Sequence, residues 1–170
     1  MLNVGRLIAR GRGLSRVLLA RAASVSLDWD TRRKSRFAAT DSQGRELAVF
    51  LARGTVVRGG DVLVCEDGSL VRVLAKEQPV LVVRRCAEHG GTADLLRAAY
   101  HLGNRHVALE VQAERLQLEP DHVLAELLRH MHLLVSEELA PFEPEGGAYG
   151  HEQAHGHEHE HTHGHDRRGR

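Results

Sequence analysis

The apolar residues of this chain change their spacing near Lys76, and that change restricts the folds open to it. Before it, apolar and polar residues alternate in short runs separated by turn signals, a pattern typical of half-buried strands. After it, two stretches with apolar residues three and four positions apart lie between strand-like runs. The sequence therefore predicts an α+β protein in which two domains of different kinds meet near residue 75.

Residues 1–75 predict a small all-β domain. Apolar residues alternate with polar ones over 25–29, a run that ends with Trp29, and again over 47–51. Two mainly apolar runs follow at 62–65 and 70–73. Asp67-Gly68 between the last two runs predicts a hairpin. No stretch here has helical periodicity of useful length, and we find no acid–base pair, nucleophile or phosphate-binding loop.

Residues 76–144 predict the order strand, helix, strand, strand, helix, strand, which is the ferredoxin-like split βαβ arrangement. The strands are expected at 79–83, 106–111, 116–118 and 133–135. The first helix is expected to begin with Thr92 as its cap, and the second with Pro120 in its first turn. The apolar faces expected for the two helices are Leu95, Leu96, Ala99 and Leu102, and Val123, Leu124, Leu127, Leu128 and Met131.

Two histidines flank the joint between the first helix and the following strand. Gly103-Asn104 between them are residues that tolerate a left-handed conformation, which ends a helix tightly. We therefore expect His101 in the last helical turn and His106 at the start of the next strand. The pair by itself fits a capped helix with two incidental histidines as well as a ligand pair.

The C-terminal segment carries the clearest chemical signal. Two prolines and two glycines in 141–147 end the folded part, and 145–170 is expected to be disordered because it holds almost no apolar residue. Seven of the 13 histidines lie there: His151, His155, His157, His159, His161, His163 and His165. Imidazole suits Ni²⁺, Zn²⁺ and Cu²⁺, so the segment predicts metal binding, with Zn²⁺ or Cu²⁺ able to compete in vitro. Expression tags differ, because their histidines form unbroken runs.

The remaining histidines have ordinary structural interpretations. Asp121 before His122 favours capping of the second helix over a ligand pair. His130 and His132 at the far end of that helix are expected to interact with terminal carbonyls. We assign no role to His89. No HExxH, G-x-S-x-G or P-loop motif is present, so nothing in the chain favours an enzyme.

Composition excludes several classes of protein. Lys+Arg and Asp+Glu are equal at 23 each, which argues against a protein made mainly to bind nucleic acid. Cys65 and Cys86 form no CxxC pair, so buried free thiols in a reducing compartment are expected. Arginines interrupt the N-terminus before any signal-peptide core, and no run approaches the roughly 20 apolar residues of a membrane span. We therefore expect a soluble, cytoplasmic protein without a membrane partner.

Three segments together resemble the UreE family of urease accessory proteins. They are Tyr100-His101-Leu102-Gly103-Asn104-Arg105-His106 with Leu109-Glu110-Val111, then Asp121-His122-Val123-Leu124, then Pro141-Phe142-Glu143-Pro144 before a histidine-rich tail. The resemblance covers the second domain and the tail, and the first domain matches by size and strand content.

The resemblance implies a cytoplasmic nickel metallochaperone, not an enzyme, that supplies Ni²⁺ for assembly of the urease active site. It implies a peptide-binding-like first domain and a second domain that binds metal and forms a homodimer. His106 of each subunit would share one ion across the interface, with His122 as a further metal-binding position and His101 as a weaker candidate. The partners implied are the urease apoprotein and the urease accessory GTPase complex. Pro120 stands where some relatives carry a further histidine.

Two other functions remain open from the sequence. In one, the tail stores or buffers nickel or zinc and the folded part only dimerises. In the other, the arginine-rich first half serves a metal-responsive regulator or an RNA-associated protein, which the zero net charge disfavours.

Overall fold

The computed structural model describes residues 1–86 and 91–146, which form two β-sheets in sequence. The strands of the first sheet are β1 (Leu2–Ile8), β2 (Ala23–Leu27), β3 (Arg36–Thr40), β4 (Glu46–Phe50), β5 (Val62–Cys65) and β6 (Leu70–Ala75). Its short helices are α1 (Arg16–Arg21) and α2 (Trp29–Arg32), with a 3₁₀ turn at Ala9–Gly11. The second part contains β7 (Glu77–Arg85), α3 (Thr92–Asn104), β8 (Leu109–Val111), β9 (Arg115–Leu118), α4 (His122–His130) and β10 (Leu133–Pro141).

The first sheet has the strand order β2-β6-β5-β1-β4-β3. Antiparallel β5 and β6 form the hairpin predicted from Asp67-Gly68, and Gly68 adopts the left-handed φ of +81° that this turn requires. The pairs β1/β4 and β2/β6 are parallel, so the sheet is not a simple meander. Apolar side chains from all six strands close a core on one face.

Two expectations for residues 1–75 are wrong. The domain is not all-β, because α1 and α2 follow capping residues: the Ser15 hydroxyl accepts from the Leu18 N–H at 3.3 Å, and the Asp28 carboxylate from the Thr31 N–H at 2.8 Å. Trp29 does not continue a strand but begins α2. Helices of four and six residues are too short to show a period, so only their caps could have revealed them.

The second sheet has the order β10-β7-β9-β8, and all neighbouring strands are antiparallel. Alternation along β7 divides its side chains between two cores. Leu81 and Val83 pack against the two helices. Val80 and Val82 lie on the opposite face, where they pack with Trp29 of the first part and with Phe142.

The two long helices bury narrower faces than the sequence indicated. In α3, Leu95, Ala98 and Leu102 are buried, whereas Leu96 is 67% exposed. In α4, Ala125 and Leu128 are buried, whereas Val123 is 60% exposed.

The helix starts are also shifted from their expected positions. The N-cap of α3 is Gly91 rather than Thr92, and Pro120 precedes α4, whose N-cap is Asp121. Among the described residues, no helix is long and apolar enough to cross a membrane.

Candidate metal centre

The chain order places three of the predicted ligand histidines close in sequence to the open end of the β8–β9 hairpin, beside the middle of β7. Leu109 at the start of β8 pairs with Leu118 at the end of β9, and Leu118 also pairs with Leu81 of β7. His106 comes three residues before Leu109, and His122 four residues after Leu118. His101 lies in the last turn of α3, which precedes the same hairpin in the chain.

His106 occupies a tightly defined helix cap. Its N–H donates to the Gly103 carbonyl at 2.9 Å, and the Val107 N–H donates to the Leu102 carbonyl at 3.2 Å. These two bonds are the 5→2 and 6→1 bonds of a Schellman motif. His106 is the left-handed residue of this motif, with φ of +56°, and its side chain is exposed.

The expectation that His106 begins a strand is therefore wrong, since β8 begins at Leu109. Gly103 and Asn104 are both helical, and the left-handed position falls two residues after Asn104. Glycine at this position would avoid the Cβ–carbonyl clash that histidine accepts. The sequence showed that a helix ends here but not which residue takes the unusual conformation.

His101 and His122 are both exposed. The His101 ring meets Tyr100 edge-on, with the ring centroids 5.5 Å apart. Asp121 caps α4, because its carboxylate accepts from the N–H groups of Val123 and Leu124 at 2.8 and 3.0 Å. The capping role predicted for Asp121 is confirmed, and His122 is the first residue of that helix.

The far end of α4 also ends in a left-handed histidine, with His130 two residues before it. His132 has φ of +60°, and its N–H donates to the Arg129 carbonyl at 2.9 Å. The His130 ring lies 2.8 Å from the Glu126 carbonyl, as expected for a histidine in a last helical turn.

Residues 1–86 and 91–146 contain no group of three or more His, Cys, Asp or Glu side chains placed to hold a metal ion. His106, His101 and His122 thus flank the open end of the β8–β9 hairpin in the chain without forming a complete ligand set among the described residues. The seven tail histidines and His89 lie outside the described residues.

An exposed apolar surface runs along α3 toward His106, and one of its residues, Leu96, was expected in the core. Leu96 and Tyr100 are 67% and 66% exposed. Leu96, Tyr100 and Gly103 follow at spacings of four and three residues, so they lie on one side of the helix. A Cβ at Gly103 would meet no atom within 4 Å. The sequence did hold a signal for this surface, because the apolar residues of α3 cover more of the helix than one core can bury.

Comparisons with known proteins match nearly all of the described residues. A family model of the N-terminal domain of UreE urease accessory proteins matches residues 4–76, and a model of the C-terminal domain matches 78–167. Urease accessory protein UreE of Methylibium petroleiphilum is 72% identical over 156 residues, which are 92% of this chain and 72% of the relative. That of Paracidovorax citrulli is 67% identical over 149 residues, 88% of this chain and 71% of the relative. That of Verminephrobacter eiseniae is 61% identical over 156 residues, which are 92% of this chain and 93% of the relative.

Proposed function

Since this chain belongs to the UreE family of urease accessory proteins, which are urease maturation factors, we propose that it binds Ni²⁺ and delivers the ion for assembly of the urease active site. The observation that carries the proposal is the conformation of His106. An exposed imidazole stands at the one position of the α3 cap where glycine would be the favoured residue.

The left-handed conformation costs a residue with a side chain about 1–2 kcal/mol. Asn and Asp, the other residues that visit this region most readily, are absent from this position. A conformation of this cost at an exposed position is typical of functional sites. It fixes the backbone that carries the imidazole.

In the proposed arrangement, a second copy of the chain supplies the further metal ligand that one chain lacks. We propose a homodimer in which the exposed side of α3 at Leu96, Tyr100 and Gly103 packs against its counterpart. Exposed leucine and tyrosine side chains are suited to a buried interface core. The open space at Gly103 allows a close approach of the partner. Two His106 rings, one from each subunit, then share one ion.

Transfer requires an incomplete coordination shell. Two imidazoles leave positions for water or for the tail histidines, and a partner's ligands can replace these exchangeable groups. His122 and His101, which flank the same hairpin end in the chain, are proposed as further, weaker ligands on the path to His106. Intrinsic affinity rises toward copper, so Zn²⁺ and Cu²⁺ compete in vitro. The proposed setting is the cytoplasm, with the urease apoprotein and the urease accessory GTPase complex as partners and with no reaction catalysed.

The proposed division of labour follows the chain. We assign residues 76–144 to a ferredoxin-like metal-binding and dimerisation domain, which the order β10-β7-β9-β8 and the placement of α3 and α4 support. Residues 1–75 form the peptide-binding-like domain, and 145–170 the histidine-rich segment.

The test is a nickel titration monitored by calorimetry, together with a mass determination. It uses a chain in which the seven histidines from His151 to His165 are replaced by serine, which we call the serine-tail chain. We expect one ion per two chains. A chain that binds nickel with its native tail but not in the serine-tail form would be a histidine-tailed buffer, and delivery from His106 would be wrong.

Nickel binding by the serine-tail chain should weaken as the pH falls. Imidazole binds a metal only when deprotonated, and an ordinary imidazole titrates near about 6.5. With two rings on one ion, the apparent affinity should fall by up to about 100-fold for each pH unit below that value. Calorimetry from pH 7.5 to 5.5 measures this, and an affinity that does not change over that range would exclude histidine as the ligand.

A further inference from the structure

A fully buried arginine of the first part holds the segment that follows β10. The Arg32 guanidinium donates to the Glu143 carboxylate at 2.6 Å, to the Phe142 carbonyl at 2.5 Å and to the Leu27 carbonyl at 3.1 Å. Burial lowers the pKa of Arg32, and the Glu143 carboxylate opposes that effect. A charge buried this completely needs such partners, so the first part is joined to the end of the second part here.

Two further groups of the first part contact the same segment. The Gly59 N–H donates to the Glu143 carboxylate at 2.8 Å, and the Arg58 guanidinium donates to the Pro144 carbonyl at 2.5 Å. A Cβ at Gly59 would lie 2.9 Å from the Glu143 Oε1, so a larger residue at this position would push the carboxylate out of place.

Aromatic packing reinforces the same contact. The Trp29 and Phe142 rings meet edge-to-face with their centroids 6.1 Å apart. The guanidinium carbons of Arg32 and Arg58 lie 5.6 and 5.2 Å from the centroid of the Trp29 ring. We call Arg32, Arg58, Trp29 and the segment 142–145 the junction.

The junction also bonds to β8, the strand that follows His106 in the chain. The Glu143 N–H donates to the Glu110 carboxylate at 2.6 Å, and the Glu145 N–H donates to the Leu109 carbonyl at 2.8 Å. Glu143 thus bonds to the first part through its carboxylate and to β8 through its backbone N–H.

The residues between His106 and Glu110 are packed against neighbouring parts of the protein. Val107 and Leu109 pack in the core beneath the two long helices. Ala108 packs against the cluster that contains the two aromatic rings of the junction. A shift of β8 would therefore be passed to the backbone of His106, because the residues that join them are held on both sides.

We propose that Arg32 and Glu143 are positioning residues for His106. The first part holds the segment 142–145, this segment holds β8, and β8 supports the left-handed conformation of His106 at φ of +56°. A strained conformation persists only where its surroundings determine it. The inference rests on the proposed function in its consequence alone, which is that separating the two parts would loosen the loop that carries the proposed nickel ligand and favour release.

A junction with a purely structural role would act differently. Weakening it would lower the protection of amide groups throughout the chain, whereas positioning predicts a local effect at the His106 cap. His132 provides the comparison within the same molecule. It is left-handed at φ of +60°, and its N–H donates to the Arg129 carbonyl at 2.9 Å. It lies just before the start of β10, whereas the junction follows the end of that strand.

The experiment is amide hydrogen exchange of the metal-free chain, measured residue by residue by NMR. Glu143→Ala removes the carboxylate that bonds to the first part. We expect exchange of the His106 and Val107 N–H groups, which make the two bonds of the cap, to accelerate about fivefold to tenfold, since the loss of a supporting hydrogen bond makes local opening easier. The His132 N–H should exchange as in the parent.

A second variant and a control accompany Glu143→Ala. Glu110→Ala removes the acceptor on β8 and leaves the contact with the first part in place, so it is the milder variant if Glu143→Ala does not fold, and it should accelerate the same two amides. Glu114→Ala is the matched control in the same hairpin. Its carboxylate pairs with Arg85 at 3.4 Å on the surface, and its loss should leave the exchange of the His106 N–H unchanged.

Unchanged exchange of the His106 and Val107 N–H groups in either junction variant would overturn the proposal. Equal acceleration at His132, or in Glu114→Ala, would also overturn it, because the junction would then only stabilise the chain as a whole. Since no metal is present, these results do not depend on whether nickel is the cargo, which the serine-tail titration decides separately.

Discussion

Replacing His106 by glycine is expected to abolish nickel binding by the serine-tail chain while stabilising its fold. Glycine removes the imidazole and relieves the left-handed strain at φ of +56°. The relief is about 1–2 kcal/mol, and the greater freedom of glycine in the unfolded chain offsets part of it, which leaves a gain of about 0.5–1 kcal/mol. The exposed ring makes no core contact whose loss would counter this gain.

Calorimetry and urea unfolding of the same samples measure the two effects. We expect nickel affinity to fall at least 100-fold, because one substitution removes both rings of the proposed shared site. His132→Gly is the matched control: it relieves an equivalent φ of +60° at the end of α4 and should gain similar stability without losing nickel. Equal loss of affinity in both variants, or none in His106→Gly, would refute the assignment of His106.

The contrast between these two histidines shows what sequence patterns can and cannot resolve. Hydrophobic spacing located both long helices and the strands around them, because each pattern is local and repeats several times. The left-handed residue depends on which of several carbonyls accepts the last N–H groups, and the sequence around Gly103-Asn104 allows more than one solution. The sequence identified His101 and His106 as candidate ligands. It did not show the left-handed strain that distinguishes His106 from an ordinary strand residue.

Contacts between distant segments were beyond the sequence for a different reason. Arg32 and Glu143 are 111 positions apart, and nothing near either residue signals the other. From the sequence, Arg32 is one of many arginines of the first half that are expected to be solvated. Glu143 lies in a proline-rich segment expected to end the fold. The parallel pairing of β1 with β4 is equally hidden, because it depends on how the intervening strands fold.

Arg32→Met is expected to destabilise the protein by about 2–3 kcal/mol. The Arg32 side chain is fully buried but that of Glu143 is 31% exposed, so the cost is smaller than for an ion pair buried on both sides. Methionine fills much of the volume, but it leaves the Phe142 and Leu27 carbonyls without the donors that now reach them at 2.5 and 3.1 Å. It also removes from the Glu143 carboxylate its nearest positive charge, at 2.6 Å. The Glu143 carboxylate is 31% exposed and keeps the Gly59 N–H at 2.8 Å, so most of the cost comes from the buried carbonyls.

Urea unfolding followed by Trp29 emission and by circular dichroism measures the effect. Arg32→Met combined with Glu143→Leu should recover part of the loss, because the double variant replaces the ion pair by apolar contacts. Lys34→Met is the control, since its ion pair with Asp30 is exposed and long at 3.6 Å, and should cost at most about 0.5 kcal/mol. A loss below about 1 kcal/mol in Arg32→Met would mean that the pair contributes no more than a surface contact. If the two probes then unfold separately in Arg32→Met but together in the parent, the Arg32–Glu143 pair is also what makes the first and second parts of the chain unfold as one unit.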